Sequence, residues 1–255
     1  MGLRKAIKKF IYKSKFRKVD LGKINLSNKS IFITGANSGI GFQLTKKFLE
    51  LNNKVYAIFR ENSDNLTKLK NDNLKIIQCD LSNLDNIDQI KQFIQNKDIN
   101  ILINNAASFG SQDEQNYNNL DYNEFKRILN LNSLSVLKLV NTIIQFSNKK
   151  SIEKIINISS EMGSISNNKD GNYYLYRTSK SALNSITKNL SIDLNKENNI
   201  VIFSIHPGGV KTKMNSSGLI EPSKCAENLI HLIGTSDSSF NGKFLDLQSL
   251  KEIDW

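Results

Sequence analysis

The chain has 255 residues, 39% of them hydrophobic and 23% charged, which is enough for a sizeable core in one α/β unit. Its formal net charge of +11 is uneven: nine Lys or Arg against one acid, Asp20, fall within residues 1–23, leaving about +3 for the rest. That balance excludes a nucleic-acid-binding body, and Cys79, Cys225, His206 and His231 stand at no metal-ligand or disulfide-framework spacing, so no metal is expected.

In chain order, the basic segment comes first. Leu3, Ile7, Phe10 and Ile11 can form one apolar stripe on a short helix. Two readings stay open: a helix lying on an anionic membrane surface through residues 1–20, or a flexible or self-packed extension. The stripe is too short to span a bilayer or to act as a secretory core. Ala6 stands where myristoylation of Met1-Gly2 wants Ser or Thr. A transit peptide would have only Ser14 as hydroxyl content. The expected organisation is a basic extension over 1–29 and one domain over 30–255, cytoplasmic, with peripheral membrane contact if the first reading holds.

Beyond it, short β-branched runs alternate with helical periodicity. Ser30 to Thr34, Val55 to Phe59, Leu74 to Cys79, Ile99 to Ile103, Ile155 to Ile158, Ile200 to Ile205 and Lys243 to Leu247 read as strands. Gly39 to Leu51, Ser82 to Gln95, Asp121 to Phe146, Tyr173 to Leu194 and Pro222 to Ile233 read as helices. Asp121 with Glu124 has capping-box spacing, Ser82 with Asp85 suits a first turn, and Pro222 fits a first helical position. The Asn-rich stretch 116–119 reads as a solvated turn. Strands apolar on both faces require helices on both sides of a parallel sheet, so the expected fold is α/β, a single doubly wound Rossmann domain of about seven strands.

Such a sheet binds ligands beyond its strand ends, where the strand order reverses. The run Gly35-Ala36-Asn37-Ser38-Gly39-Ile40-Gly41 follows the first strand. Its glycines let backbone approach a pyrophosphate, and the next helix offers unpaired N–H groups. Arg60 follows the second strand, where an arginine can pair with a ribose 2′-phosphate, favouring NADPH over NADH. Asp80, beside Leu81 after the third strand, suits an adenine amino group. Downstream, Tyr176 and Lys180 are four apart on a helix and so share a face, which lets an ammonium sit beside a phenol.

These motifs, in order, resemble the short-chain dehydrogenase/reductase superfamily: Thr34-Gly35 through Gly39-Ile40-Gly41, Asn104-Asn105-Ala106, Asn132, Ser160, Tyr176 with Lys180, and Pro207-Gly208. Within it, the stretches around Ser160 and Tyr176 and the final Trp255 look like the sniffer-type carbonyl reductases and C-factor proteins. The resemblance implies that Tyr176 exchanges a proton with the substrate oxygen, a task for which base catalysis needs a lowered pKa. It implies that Lys180 favours the phenolate and holds the nicotinamide ribose, Ser160 binds the substrate oxygen, and Asn132 holds a water relaying protons from Lys180. It also implies a cofactor set of Gly35, Asn37, Ser38, Gly39, Ile40, Gly41, Arg60, Asp80, Leu81, Asn105, Ala106, Ala107, Tyr176, Lys180, Pro207, Gly208, Val210 and Thr212. Ala107 departs from the family's usual glycine, adding a methyl beside the adenosine ribose.

Tyr173 with Arg177 is a competing pair: Tyr173 lies 13 residues after Ser160 and Tyr176 lies 16 after it, and the family commonly shows the shorter interval. Arginine is not deprotonated in proteins and does not resemble the family's lysine, so Tyr176 is preferred and the extra residues are read as loop around 167–171. Ser159 is the alternative to Ser160. The nine residues Lys213 to Glu221 imply a short lid and an open pocket. The leading expectation is an NADPH-dependent reductase of a ketone or aldehyde. The alternatives are an NAD(P)-dependent dehydrogenase of a lipid-like alcohol and a nucleotide-bound signalling or scaffold protein. A homodimer is implied by resemblance, with Val136, Leu137, Val140 and Ile144 as apolar material.

Overall fold

The structure, a computed structural model, describes residues 26–61, 64–111 and 115–255. The stripe read at Leu3 to Ile11 lies outside them. Chain order begins with β1 (Ser30–Thr34), α1 (Gly39–Glu50), β2 (Lys54–Phe59), α2 (Asp64–Thr67), β3 (Leu74–Gln78), a 3₁₀ turn (Leu84–Ile90), α3 (Lys91–Ile94) and β4 (Ile101–Asn104). A small hairpin, β5 (Gln115–Asn116) and β6 (Asn119–Leu120), leads to α4 (Tyr122–Leu129), a π-helical turn (Asn130–Leu134) and α5 (Ser135–Phe146). Then come β7 (Lys154–Ile158), α6 (Tyr174–Asn198), β8 (Val201–His206), α7 (Pro222–Thr235) and β9 (Phe244–Asp246).

Seven strands form one parallel sheet in the order β3-β2-β1-β4-β7-β8-β9. Alternation along β1 shows why both faces must be covered: Ile31 and Ile33 join a core with Leu44, Phe48, Leu229 and Ile230, whereas Phe32 joins one with Leu102, Val136, Leu139 and Leu183. The order reverses between β1 and β4, so the ligand crevice opens there.

Two predicted helices differ in form. Over Ser82 to Gln95 the chain makes a 3₁₀ turn and one α-turn, because Asn83 and its acidic neighbours hydrogen-bond locally instead of propagating a helix. The cap is Asn83, which accepts from Asp85 N, and Ser82 binds Asp80. Asp121 caps α4 by accepting from Asn123 N and Glu124 N, but the helix expected to run to Phe146 carries the π-turn at Asn130–Leu134. Of the apolar residues considered for a dimer, Val136 and Val140 are buried in the core, Ile144 packs against it, and Leu137 is 42% exposed. No described helix is long and apolar enough to cross a membrane.

Candidate active site

One side of the site is made of backbone. Thr34, ending β1, accepts the N–H groups of Asn105 and Ala106 at 3.0 Å each through its hydroxyl. Asn105 returns its amide to the carbonyls of Thr34 and Gly35 at 2.9 and 3.1 Å. The two strand ends at the switch point are thereby clamped. Gly35 has φ +65° and Gly39 φ +53°, the left-handed region that a side chain strains. Gly41 is required by packing: a Cβ there would lie 2.3 Å from the Gly35 carbonyl oxygen.

Ser38 is the N-cap of α1 in extended conformation and makes no side-chain cap bond. The first N–H groups of a 12-residue helix therefore lack that partner and open onto the glycine turn. A dinucleotide pyrophosphate fits that donor set. Asn37 donates to Glu61 O at 2.8 Å, tying the turn to the end of β2. Arg60 and Glu61 form an exposed ion pair of 2.9 Å at the edge where an adenosine ribose would sit. Asp80 accepts from Ser82 N and Oγ at 2.9 and 2.7 Å, and the Leu81 side chain is buried in the core. Ala106 and Ala107 line the β4 end, half-buried, and Ile40 packs its side chain inward.

Opposite them, the loop after β8 closes the crevice. Gly208 has φ +84°, and Gln248 donates to Pro207 O at 2.7 Å. Val210 bridges Ile220, and the Thr212 methyl lies 3.3 Å from the position of a Cβ on Gly39. The lid is thus short and hydrogen-bonded across its base. His206 is 3.9 Å from Glu161, and burial pushes its pKa down, which favours the neutral ring.

The other side of the site is made of side chains. Tyr176 and Lys180 project from the first turns of α6, both buried, with the ammonium 5.7 Å from the phenol ring centroid. Lys180 donates to Ile158 O at 2.8 Å. Ser160 stands close enough to the Tyr176 hydroxyl to lower its pKa and accepts from Met162 N at 3.2 Å, while Ser159 donates to Asn184 at 2.7 Å and faces away into the core. Gly163 makes the approach possible, since a Cβ on it would lie 2.9 Å from Lys180 backbone. Tyr173, the competing residue, is the left-handed N-cap of α6 at φ 54°, and Arg177 donates to Gly171 O at 3.1 Å. The geometry therefore brings Tyr176, Lys180 and Ser160 together and leaves Tyr173 at the rim.

Electrostatics depart from the sequence-based expectation. Burial pushes the Tyr176 phenol up to about 12, the Ser160 hydroxyl opposing it only in part. Burial also pulls Lys180 down to about 7. Desolvation dominates at both groups, and Lys180 is not among the causes that lower the phenol. At neutral pH the phenol keeps its proton.

Asn132 lies in the π-turn and is buried. Its Nδ2 donates to Ser108 O and Ser179 Oγ, and its Oδ1 accepts from Ser108 N, each at 2.9 Å. Both amide donors are spent bracing the β4 loop against α6, which leaves one Oδ1 lone pair for the water that the resemblance implies. Sequence reasoning missed Phe109, whose ring centroid lies 4.7 Å from that of Tyr176 and 5.4 Å from that of Tyr173. It also missed Gln115, whose side chain accepts from Tyr176 N. No local pattern marks either one.

A family model described as short chain dehydrogenase matches residues 29–220. The C-signal protein of Myxococcus xanthus is 28% identical over 158 residues, 62% of this chain and 93% of that one. A 3-oxoacyl-[acyl-carrier-protein] reductase of Buchnera aphidicola is 32% identical over 203 residues, 76% of this chain and 80% of that one. Among solved structures, the carbonyl reductase Sniffer of D. melanogaster superposes with a TM-score of 0.80 at 30% identity, covering 89% of this chain and all of that one.

Proposed function

The chain belongs to the short chain dehydrogenase family and is an NAD(P)-dependent oxidoreductase, and from that premise we propose that it reduces a ketone or aldehyde at the expense of NADPH. The observation that carries the reading is the convergence of the buried Tyr176 phenol, Lys180 and Ser160 at the start of α6. A protonated phenol placed there can give its proton to an oxygen gaining negative charge. Nicotinamide, when bound, supplies the hydride. Ser160 donates a hydrogen bond to the substrate oxygen and stabilises the charge that develops there. Tyr176 then gives that oxygen its proton. Lys180 binds the ribose hydroxyls, and Asn132 holds the β4 loop and α6 in register.

Arg60 supports the 2′-phosphate preference, moderated by its ion pair with Glu61. One relative known to bind NADP, a short-chain dehydrogenase/reductase from Burkholderia multivorans, shares the fold at 21% identity and TM-score 0.77. We take the domain to be 30–255 and the assembly to be a homodimer acting on small molecules. Initial rates with NADPH and with NADH, against aldehydes, ketones and quinones, test the reading. Turnover selective for NADPH is expected. Cofactor binding without turnover on any carbonyl would favour the nucleotide-bound scaffold instead.

A further inference from the structure

We infer that Gln115 is a positioning residue for Tyr176: its buried amide ties the first turn of the helix carrying the phenol to the β4 loop that carries Phe109. The inference rests on the reading of Tyr176 as proton donor.

A helix leaves its first N–H groups without intrahelical partners, and a side-chain cap normally takes one. Tyr173 at the N-cap of α6 supplies none, being left-handed with no cap bond, and the first turn holds no acidic residue. Gln115 fills that role from 61 residues away: its Oε1 accepts from Tyr176 N at 3.1 Å. Its Nε2 donates to Phe109 O at 2.8 Å. The residue is fully buried, although the turn that follows it, with Tyr117 76% exposed, stands in solvent.

One amide thus fixes both the backbone of Tyr176 and the backbone of Phe109, whose ring packs on the Tyr176 ring at 4.7 Å. Gly110, at φ +80°, carries no side chain at the point where Gln115 Nε2 and Glu124 Oε1 approach to 3.6 and 3.5 Å of a would-be Cβ. Glu124 itself is held by Arg127 through two hydrogen bonds. A residue with one donor and one acceptor is needed here. Leucine has the bulk and neither group, whereas a protonated glutamic acid has both.

The experiment compares Gln115→Leu and Gln115→Glu with the parent full-length chain in carbonyl turnover and cofactor binding. The Tyr176 titration is followed by tyrosinate absorbance, with Tyr176→Phe as the blank. In Gln115→Leu, kcat falls by on the order of 10- to 100-fold, as for a slight misplacement of a reacting group. The dissociation constant for NADPH stays within about twofold, and the Tyr176 titration moves down toward the ordinary tyrosine value as water enters. In Gln115→Glu, kcat approaches the parent value at low pH and falls as the carboxyl ionises and loses its donor, a limb the parent lacks.

Unchanged kcat in Gln115→Leu overturns the inference. So does equal loss of cofactor binding and turnover, which would mark a merely structural residue, or a Gln115→Glu variant without that pH limb. If the parent turns over no carbonyl, the proposed reaction fails, and the titration of Tyr176 in the cofactor-free protein still decides whether Gln115 controls the phenol's surroundings.

Discussion

The two walls of the site are built on different principles. The crevice between β1 and β4 is a backbone structure, in which Thr34, Asn105 and three glycines shape a surface with almost no side chains on it. The pocket at the start of α6 is a side-chain structure, assembled from Phe109, Gln115, Asn132, Ser160, Tyr176 and Lys180 on five separate segments. Added volume breaks the first wall, because nothing there can move aside. Loss of a functional group breaks the second, because each polar group there is buried and has a specific partner.

Lys180→Met gives the largest expected contrast. Turnover should fall by on the order of a hundredfold or more, yet the fold should lose a liability. The ammonium is fully desolvated, and its folded pKa of about 7 lies below the 10.5 of an unburied lysine. The unfolded chain therefore binds more protons between those values, and stability rises with pH through that window. Relative to Lys180→Met, the parent should gain on the order of 4 kcal/mol from pH 7 to pH 10.5, and nothing further above it. Urea unfolding at a series of pH values measures this. A pH-independent difference would mean that Lys180 is not desolvated as described.

Gly41→Ala tests the backbone wall. With the new methyl 2.3 Å from Gly35 O, the turn must open, at an expected cost of about 1–3 kcal/mol and with loss of cofactor binding. Gly209→Ala is the control, because no atom lies within 4 Å of a Cβ there. Equal melting temperatures for the two variants would contradict the account of that wall.

The smallest effect is expected at the exposed Arg60–Glu61 pair. Glu61→Gln should free the guanidinium and tighten NADPH about two- to fivefold with little change for NADH, in keeping with the weakness of surface ion pairs. Arg60→Ala should weaken NADPH by about tenfold. Isothermal titration with each cofactor reads both. Identical responses to the two cofactors would remove Arg60 from the preference.

The same division explains what could be read from the chain. The backbone wall is local: Gly35, Gly39 and Gly41 fall within seven residues, so spacing alone exposes them. The sheet was legible because each strand carries apolar residues on both faces, as Ile31, Phe32 and Ile33 do. Tyr176 and Lys180 were legible because helical periodicity pairs them, and Ser160 only because the stretch around it resembles that of the family. Gln115 was not, since its partner lies far away and its neighbours compose a solvated turn that is exposed from Asn116 to Asn119. The raised phenol pKa was equally hidden, because burial is a property of the packed pocket and the sequence displays only the favourable neighbour.

The central claim is that Tyr176 is the proton donor. Its most direct test is the carbonyl-dependent oxidation of NADPH by Tyr176→Phe and by Tyr173→Phe, with the dissociation constant for NADPH measured on both. Tyr176→Phe is expected to lose turnover by on the order of a hundredfold or more while still binding the cofactor, and Tyr173→Phe to stay within a few-fold of the parent. Retained turnover in Tyr176→Phe, or its loss in Tyr173→Phe alone, would contradict it.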